Sequence, residues 1–204
     1  ATAIIVEVWG AGGGGSGTYY NDPSGAAGGY SKAKIATPTT GEVLNIVVGQ
    51  GGLVQDQTVQ YGGGGFNGTL INALSLPPAQ RFDTPSPLAQ GFVTLGTDSG
   101  HQNKPNEPPQ AFALNDEALL NFAHASYKKV RDVAVVITQR AYGRKPDKLY
   151  FMGSSEGGRE GLTMAQRYPN DFHGIFSRVP VISWTGLQHA GLRNGMAIRG
   201  EAWL

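Results

Sequence analysis

The chain has 204 residues, of which 40% are hydrophobic and 15% charged, and its formal net charge is +1. That length allows one large domain or two small ones with a sizeable apolar core. The near-neutral balance gives no electrostatic reason to expect a nucleic-acid partner, and no apolar run reaches the length of a membrane span. The absence of cysteine excludes disulfides, thiolate catalysis and cysteine-ligated zinc. The first residues lack a positive segment followed by an apolar one, so no signal peptide is expected and the compartment stays open.

The N-terminal part is dominated by glycine. Eighteen of the 31 glycines precede Leu70, and β-branched runs at 3–9 and 43–48 lie between them. Short apolar runs bounded by glycine predict strands. Gly12-x-Gly14-x-x-Gly17 matches a dinucleotide-binding fingerprint. Since no helix-forming sequence follows it, we do not predict a nucleotide site there.

From about residue 89 the pattern changes to alternating strands and helices. Three apolar runs are typical of strands: 91–97, 148–152 and 174–179. Between the first two, apolar residues recur at three- and four-residue steps from an Asn115 N-cap to a Gly143 C-cap, which predicts a helix. A second helix is predicted to end before Pro169. This alternation predicts an α/β fold with a parallel sheet and right-handed crossovers.

The pentapeptide Gly153-Ser154-Ser155-Glu156-Gly157 lies between the second strand and the second helix. Strand, G-x-S-x-G and helix is the context of a nucleophile elbow, a tight turn that holds its central serine in a strained conformation. We therefore expect Ser155 to project into solvent at a helix N-terminus, where free N–H groups favour negative charge. The alternative is a Gly/Ser-rich turn without chemistry.

Acyl transfer also needs donors for the oxyanion of the tetrahedral intermediate. The backbone N–H of Glu156, the residue after the candidate nucleophile, would supply one. The segment Thr97-Asp98-Ser99-Gly100-His101 follows the first predicted strand, and Gly100 would let the main chain approach a substrate. The alternative is an Asx or ST turn that merely ends the strand.

Four segments, in this order, resemble the tannase and feruloyl esterase family of α/β-hydrolases. They are Tyr61 to Gly68, Thr97 to His101, Gly153 to Glu160 and Ala165 to Ile175. The resemblance implies Ser155 as the nucleophile and Gly100 and Glu156 as the oxyanion donors. It also implies a partial α/β-hydrolase sheet with flanking helices, here preceded by a glycine-rich all-β segment.

Residues 1–60 instead resemble glycine-rich modules of phage tail tips and of anaplastic-lymphoma-kinase-type receptor ectodomains. The segments that carry this resemblance are Val8 to Gly15, Gly28 to Ala33 and Ile46 to Gly52. In those proteins the module is a binding or structural element. We therefore expect a glycine-rich β module at 1–60 and an incomplete α/β-hydrolase-like domain at 61–204.

Three departures from the esterase pattern bear on activity. Ser154 stands where the family has a cysteine, so the family's disulfide at the elbow is absent, and His173 replaces the second aspartate of a D-F-D-G-I segment. The family's triad acid and histidine lie far downstream, beyond an inserted lid. Only the beginning of that lid, around residues 184–204, is expected in this chain.

The catalytic base and acid therefore stay open. His189 and His173 follow the serine and are candidates for an unusual base, whereas His101 is expected to line the pocket or support it. Asp98 and Asp171 are candidate acids, with loop-orienting or capping roles as alternatives. An oligomer, in which a second copy completes the site, is a further option.

The sequence thus predicts a serine carboxylic-ester hydrolase that acts on a small-molecule ester through an acyl-enzyme at Ser155. The resemblance implies aromatic acyl esters, and lactones undergo the same chemistry. The family often has a calcium site in its lid, but no loop with EF-hand-like spacing is visible, so no metal or other cofactor is predicted. The alternatives are a non-catalytic glycine-rich binding or structural module with a hydrolase remnant, and a chain joined from two unrelated gene fragments.

Overall fold

The computed structural model describes residues 3–8, 31–36, 44–48, 57–71, 73 and 84–200, and for the first three ranges the backbone alone. Its strands are β1 Ala3–Val8, β2 Ser31–Ala36, β3 Leu44–Val48, β4 Gln57–Tyr61, β5 Val93–Thr97, β6 Lys148–Ser154 and β7 Gly174–Arg178. Its helices are α1 Asp116–Leu120, α2 Ser126–Tyr142, α3 Glu156–Arg167 and α4 Trp184–Arg199. A 3₁₀ turn at Ala111–Leu114 precedes α1, and a π-helical segment at Asn121–Ala125 joins α1 to α2.

Five strands form one sheet in the order β3-β5-β4-β6-β7. The last four are parallel, and β3 pairs antiparallel with β5. Gln60 of β4 is level with Leu95 of β5 on one side and with Phe151 of β6 on the other. The parallel strands therefore end at the same edge of the sheet. The predicted α/β class, a partial α/β-hydrolase sheet with flanking helices, is confirmed.

The N-terminal strands fall into two groups. β1 pairs antiparallel with β2, whereas β3 belongs to the main sheet. The strands predicted at 3–9 and 43–48 are confirmed, and β2 was not predicted. β4 runs across the proposed boundary between residues 60 and 61, and the division into two domains stays a prediction. The glycine run Gly12 to Gly15 lies outside the described residues.

The long helix predicted between Asn115 and Gly143 is confirmed, with one interruption. The Asn115 side chain accepts a hydrogen bond from Ala118 N at 3.0 Å, and Gly143 ends α2 at a φ of 75°. The π-helical segment leaves carbonyl groups without regular helical partners, and the side chains of other elements bind them. Phe122 O, for example, accepts from Arg159 of α3 at 2.8 Å and from Tyr127 Oη at 3.1 Å.

The core lies on both faces of the parallel strands because successive side chains of a strand point to opposite faces. On one face, Phe151 of β6 packs against Tyr127 of α2 and Met164 of α3. On the other, Val59 and Tyr61 pack with a second group of apolar side chains that contains Ile71, Ala73, Phe92, Tyr150 and Met152. α2 and α3 both pack on the first face of the sheet. Because Ser155 directly precedes α3, this packing also determines the position of Ser155.

Candidate active site

Ser155 occupies the turn between β6 and α3, as predicted. Its backbone has φ 59° and ψ −117°, a conformation that costs a non-glycine residue roughly 1–3 kcal/mol. The residue is exposed, while Glu156, Gly157 and Gly158 after it are buried. The carbonyl of Ser155 accepts from Val181 N at 3.2 Å, and its own N–H donates to Arg178 O at 3.0 Å. These bonds anchor the strained turn to the chain that follows β7.

The glycines of the pentapeptide are required by close packing of main chain on main chain. A Cβ at Gly153 would lie 2.0 Å from Gly157 O, and one at Gly157 would lie 2.7 Å from Gly63 O. Real Cβ atoms do not approach so closely, so both positions exclude a side chain. This arrangement brings the N-terminus of α3 against both β6 and the loop that follows β4.

A second sharp loop follows β5 at the same edge of the sheet; we call residues Thr97 to His101 the oxyanion loop. Ser99 has φ 67° and Gly100 has φ 81°. Asp98 is buried, and its Oδ1 accepts from Gly100 N at 2.9 Å. The segment is thus an Asx turn, which was the alternative considered for it.

The two candidate oxyanion amides differ in their partners. Gly100 N–H donates to Asp98 Oδ1 within its own loop. Glu156 N–H has no acceptor among the described residues, and it lies at the first position of α3, where helical N–H groups are unpaired. The amide beside Ser155 is therefore available to an oxyanion, whereas that of Gly100 would first have to leave Asp98.

A buried ion pair lies directly under the elbow. Glu156 is fully buried, and Arg159 donates to its Oε1 through Nε at 2.7 Å and through a terminal nitrogen. The remaining guanidinium hydrogens donate to Phe122 O at 2.8 Å and to Ala123 O at 2.9 Å, in the π-helical segment. Burial raises the pKa of Glu156 to about 7, because desolvation outweighs the attraction of Arg159.

One turn further along α3, the buried carboxylate of Glu160 joins three segments. It accepts from Gly63 N at 3.1 Å and from Asn67 Nδ2 at 2.8 Å. Asn67 Nδ2 also lies 2.6 Å from Ser99 Oγ, in the oxyanion loop. Burial raises the pKa of Glu160, and its hydrogen bonds and Arg159 oppose that shift.

Among the described residues, none of the candidate histidines has a hydrogen bond to Ser155 Oγ. His101 is buried, stacked on Phe112 at 3.8 Å, and its Nε2 donates to Phe66 O at 2.9 Å. Burial lowers the pKa of His101. His173 Nδ1 accepts from Leu149 N at 3.1 Å, near the start of β6. Leu149 lies six positions before Ser155, about 20 Å away along an extended strand, so His173 lies far from the serine.

The two remaining candidates are Asp171, in the loop between α3 and β7, and His189, on α4. Asp171 pairs with Lys128 at 3.0 Å and with Arg131 at 3.7 Å. Those ion pairs place it with the residues around His173, away from the elbow. His189 is exposed on α4, whose first residue, Trp184, packs edge-on against Phe66 and Phe122.

A cavity of about 230 Å³ lies beside Ser155. Its walls include Tyr61, Gly62, Ser154, Phe176 and Arg178. An apolar cavity of about 480 Å³, bounded by Val59, Phe92, Tyr150, Met152 and Phe176, adjoins it along the sheet. Apolar walls with a few polar groups are typical of sites for small organic ligands.

Among the described residues, no group of three or more histidine, aspartate or glutamate side chains could hold a metal ion. In the same part of the chain, none of the helices has the length and hydropathy that a bilayer span requires.

Sequence reasoning missed the role of three residues in this region: Asn67, Arg159 and Glu160. All three lie inside the motifs that carried the family resemblance, so their positions were noted but not their contacts. The spacing of Glu156 and Glu160, four residues apart with Arg159 between them, was the available signal, since residues three and four apart share a helix face.

Comparisons with known proteins identify the family of this chain. The profile of the tannase and feruloyl esterase family matches residues 53–204. An uncharacterized esterase of Agrobacterium fabrum is 42% identical over 155 residues, which are 72% of this chain and 27% of that protein. The mono(2-hydroxyethyl) terephthalate hydrolase of Piscinibacter sakaiensis is 40% identical over 124 residues, or 58% of this chain and 20% of that protein.

Among solved structures, that of an esterase from Aspergillus oryzae superposes with a TM-score of 0.57 at 30% identity. The match covers 73% of this chain and 27% of that one. The chain thus spans between 20% and 27% of the length of these relatives. Since the family profile covers most of the sequence, the chain belongs to the tannase and feruloyl esterase family.

Proposed function

We propose that this chain carries the nucleophile and the oxyanion donors of a serine carboxylic-ester hydrolase. The observation that carries the proposal is the exposed Ser155 in a strained turn, directly before the unpaired N–H of Glu156. A positive φ at a non-glycine residue is costly, and it persists where the surrounding structure enforces it for a purpose. Membership of an esterase family supports the same assignment.

In the proposed reaction Ser155 Oγ attacks the ester carbonyl carbon while a base takes its proton. The carbonyl oxygen becomes an oxyanion, and the N–H of Glu156 donates to it. The Gly100 N–H would join as second donor after exchanging Asp98 Oδ1 for the oxyanion. Collapse of the intermediate expels the alcohol, which takes up the proton, and water then hydrolyses the acyl-enzyme.

The base is the open part of the mechanism. Three histidines already form a hydrogen bond: His101 with Phe66 O, His124 with Tyr168 Oη, and His173 with Leu149 N. His189 has no such partner among the described residues, and it follows the anchored Trp184 by five residues, about 7.5 Å along α4. His189 is therefore the residue of this chain that we propose to test as base. A histidine from a second copy of the chain is the competing source.

The substrate class follows from the cavities beside the serine. We propose that the acyl group of a small ester enters the cavity bounded by Tyr61 and Phe176, whose rings suit an aromatic acid. Relatives named as a mono(2-hydroxyethyl) terephthalate hydrolase and as probable feruloyl esterases support an aromatic acyl ester. Lactones are a second class to assay, since their opening uses the same attack.

Labelling with a fluorophosphonate tests the nucleophile. The wild type should form one covalent adduct, Ser155→Ala should form none, and the control Ser86→Ala, in the loop before β5, should react at the wild-type rate. Persistent labelling of the Ser155→Ala variant at the same rate would exclude Ser155 as the nucleophile. In the same assay, a rate unchanged in His189→Ala would exclude His189 as the base.

A non-catalytic role is the second candidate, and one observation favours it. No hydrogen bond joins Ser155 Oγ to an imidazole in the part of the chain that the structure describes. A serine without its base loses several orders of magnitude in rate. Folded protein that hydrolyses no p-nitrophenyl ester and forms no fluorophosphonate adduct would establish this binding or structural role instead.

A further inference from the structure

The buried carboxylate of Glu160 has no part in the proposed chemistry, yet it connects the elements that carry it. We propose that Glu160 is a positioning residue, which through Asn67 holds the oxyanion loop at a fixed position relative to the elbow. It would thereby set the distance between the Gly100 and Glu156 amides. This inference rests on the proposed function above.

The sheet itself leaves a gap that such a connection must bridge. β5, which leads into the oxyanion loop, and β6, which leads into the elbow, lie on either side of β4. Neighbouring strands are about 4.8 Å apart, so these two strands are separated by about 10 Å. Residues 62–68, which follow β4, form the spacer between the two halves of the site.

The spacer is fastened to the elbow helix at two points. Gly157 N donates to Gly63 O at 3.1 Å, and Gly63 N donates to Glu160 Oε2 at 3.1 Å. A Cβ at Gly62 would lie 2.7 Å from Glu160 Oε2, so the glycine permits the approach of the carboxylate. Glu160 therefore fixes the spacer relative to the first turn of α3.

Asn67 carries the connection across to the oxyanion loop. A side-chain amide has two N–H donors, and the two shortest contacts of Asn67 Nδ2 are Glu160 Oε1 at 2.8 Å and Ser99 Oγ at 2.6 Å. Tyr127 Oη, itself fully buried, donates to the same Ser99 Oγ at 3.2 Å. Ser99 directly precedes Gly100, so this chain of bonds ends at the amide that it would position.

The backbone on both sides of this connection is strained. Asn67 has φ 58° and Ser99 has φ 67°, both in the left-handed region. Such conformations persist only when surrounding contacts enforce them. A buried carboxylate is weak evidence for stability because its desolvation is costly, so geometry is the better explanation of its presence. Misplacement of a reacting group by about 1 Å can lower a rate by about 100-fold.

The test measures reactivity separately from stability. For fluorophosphonate labelling of folded protein, Glu160→Gln should lower the maximal labelling rate by about 10- to 100-fold with little change in the half-saturating concentration. A glutamine has one side-chain oxygen to accept hydrogen bonds, whereas both Gly63 N and Asn67 Nδ2 donate to the carboxylate of Glu160. The double variant Asn67→Asp/Glu160→Gln reverses donor and acceptor and should recover the rate to within about 3-fold. The exposed control Glu117→Gln should match the wild type.

Two results would overturn the inference: Glu160→Gln labels as fast as the wild type, or the double variant is no faster than the single one. If Glu160→Gln does not fold, Ser99→Ala breaks the same connection from its other end, and an unchanged rate there is equally contrary. Absence of labelling in the wild type, or its persistence in Ser155→Ala, instead refutes the proposed function. A labelled wild type with a normal Glu160→Gln refutes the positioning role alone.

Discussion

Replacing Arg159 by methionine would test how the ion pair beneath Ser155 supports the fold. The Glu156 side chain is 1% exposed and that of Arg159 is 15% exposed. Methionine keeps most of the apolar stem that packs near the rings of Phe122 and Trp184, over which the guanidinium lies at 5.1 and 6.0 Å. The substitution therefore removes the charge and its hydrogen bonds while retaining much of the volume.

The loss should be large and dependent on pH. Removing one partner of a buried ion pair costs about 3–5 kcal/mol, because the other charge stays uncompensated. Glu156 can escape this penalty by taking up a proton, and its pKa, already about 7, rises further without Arg159. We therefore expect a loss of about 3 kcal/mol at pH 8, and one about 1 kcal/mol smaller at pH 6, where Glu156 is mostly protonated in both proteins.

Urea denaturation followed by circular dichroism at both pH values gives these free energies, and the loss at pH 8 corresponds to a drop of about 6–12 °C in Tm. The double variant Glu156→Gln/Arg159→Met should recover about 1 kcal/mol at pH 8 because no carboxylate is left uncompensated. An equal loss at pH 6 and pH 8, with no recovery in the double variant, would refute the reasoning.

Four further variants probe the protonation of Glu156 and the local backbone geometry. In the folded state burial raises the pKa of Glu156 to about 7, above its unfolded value, so the wild type loses stability as pH rises from about 4.5 through 7. Glu156→Gln should flatten this pH dependence of the free energy of unfolding by up to about 3 kcal/mol, and an unchanged profile would contradict the assignment. Gly153→Ala should yield no soluble folded protein, because its Cβ would meet Gly157 O at 2.0 Å. By contrast, Gly143→Ala, with open space around its Cβ, should cost only about 1 kcal/mol in urea denaturation. Asn115→Ala should also cost about 1 kcal/mol through the lost N-cap, and no change would argue against the cap.

Sequence patterns predicted the elements around the site well because each rests on local chemistry. The Asn115 cap, the Gly143 stop and Gly153 before the elbow all act within a few residues, and the structure confirms them. β-branched runs likewise predicted β1 and β3, and the strand–helix alternation predicted the parallel sheet.

Contacts between distant segments were beyond those patterns. The bond from Asn67 to Glu160 spans 93 residues, and no spacing rule connects a loop amide with a helical carboxylate so far away. The same limit applied to His173 and Asp171, which follow Ser155 closely in sequence but lie near the opposite end of β6 and with the cations of α2. Order along the chain could not reveal that a full strand length separates them from the serine.

A crystal structure of the protein after reaction with a fluorophosphonate tests the central claim most directly. Phosphorus should be bonded to Ser155 Oγ, with one phosphonyl oxygen about 3 Å from the Glu156 backbone nitrogen, since this group mimics the tetrahedral oxyanion. An adduct on another residue, or an adduct on Ser155 whose oxygens all point away from that nitrogen, would contradict the account.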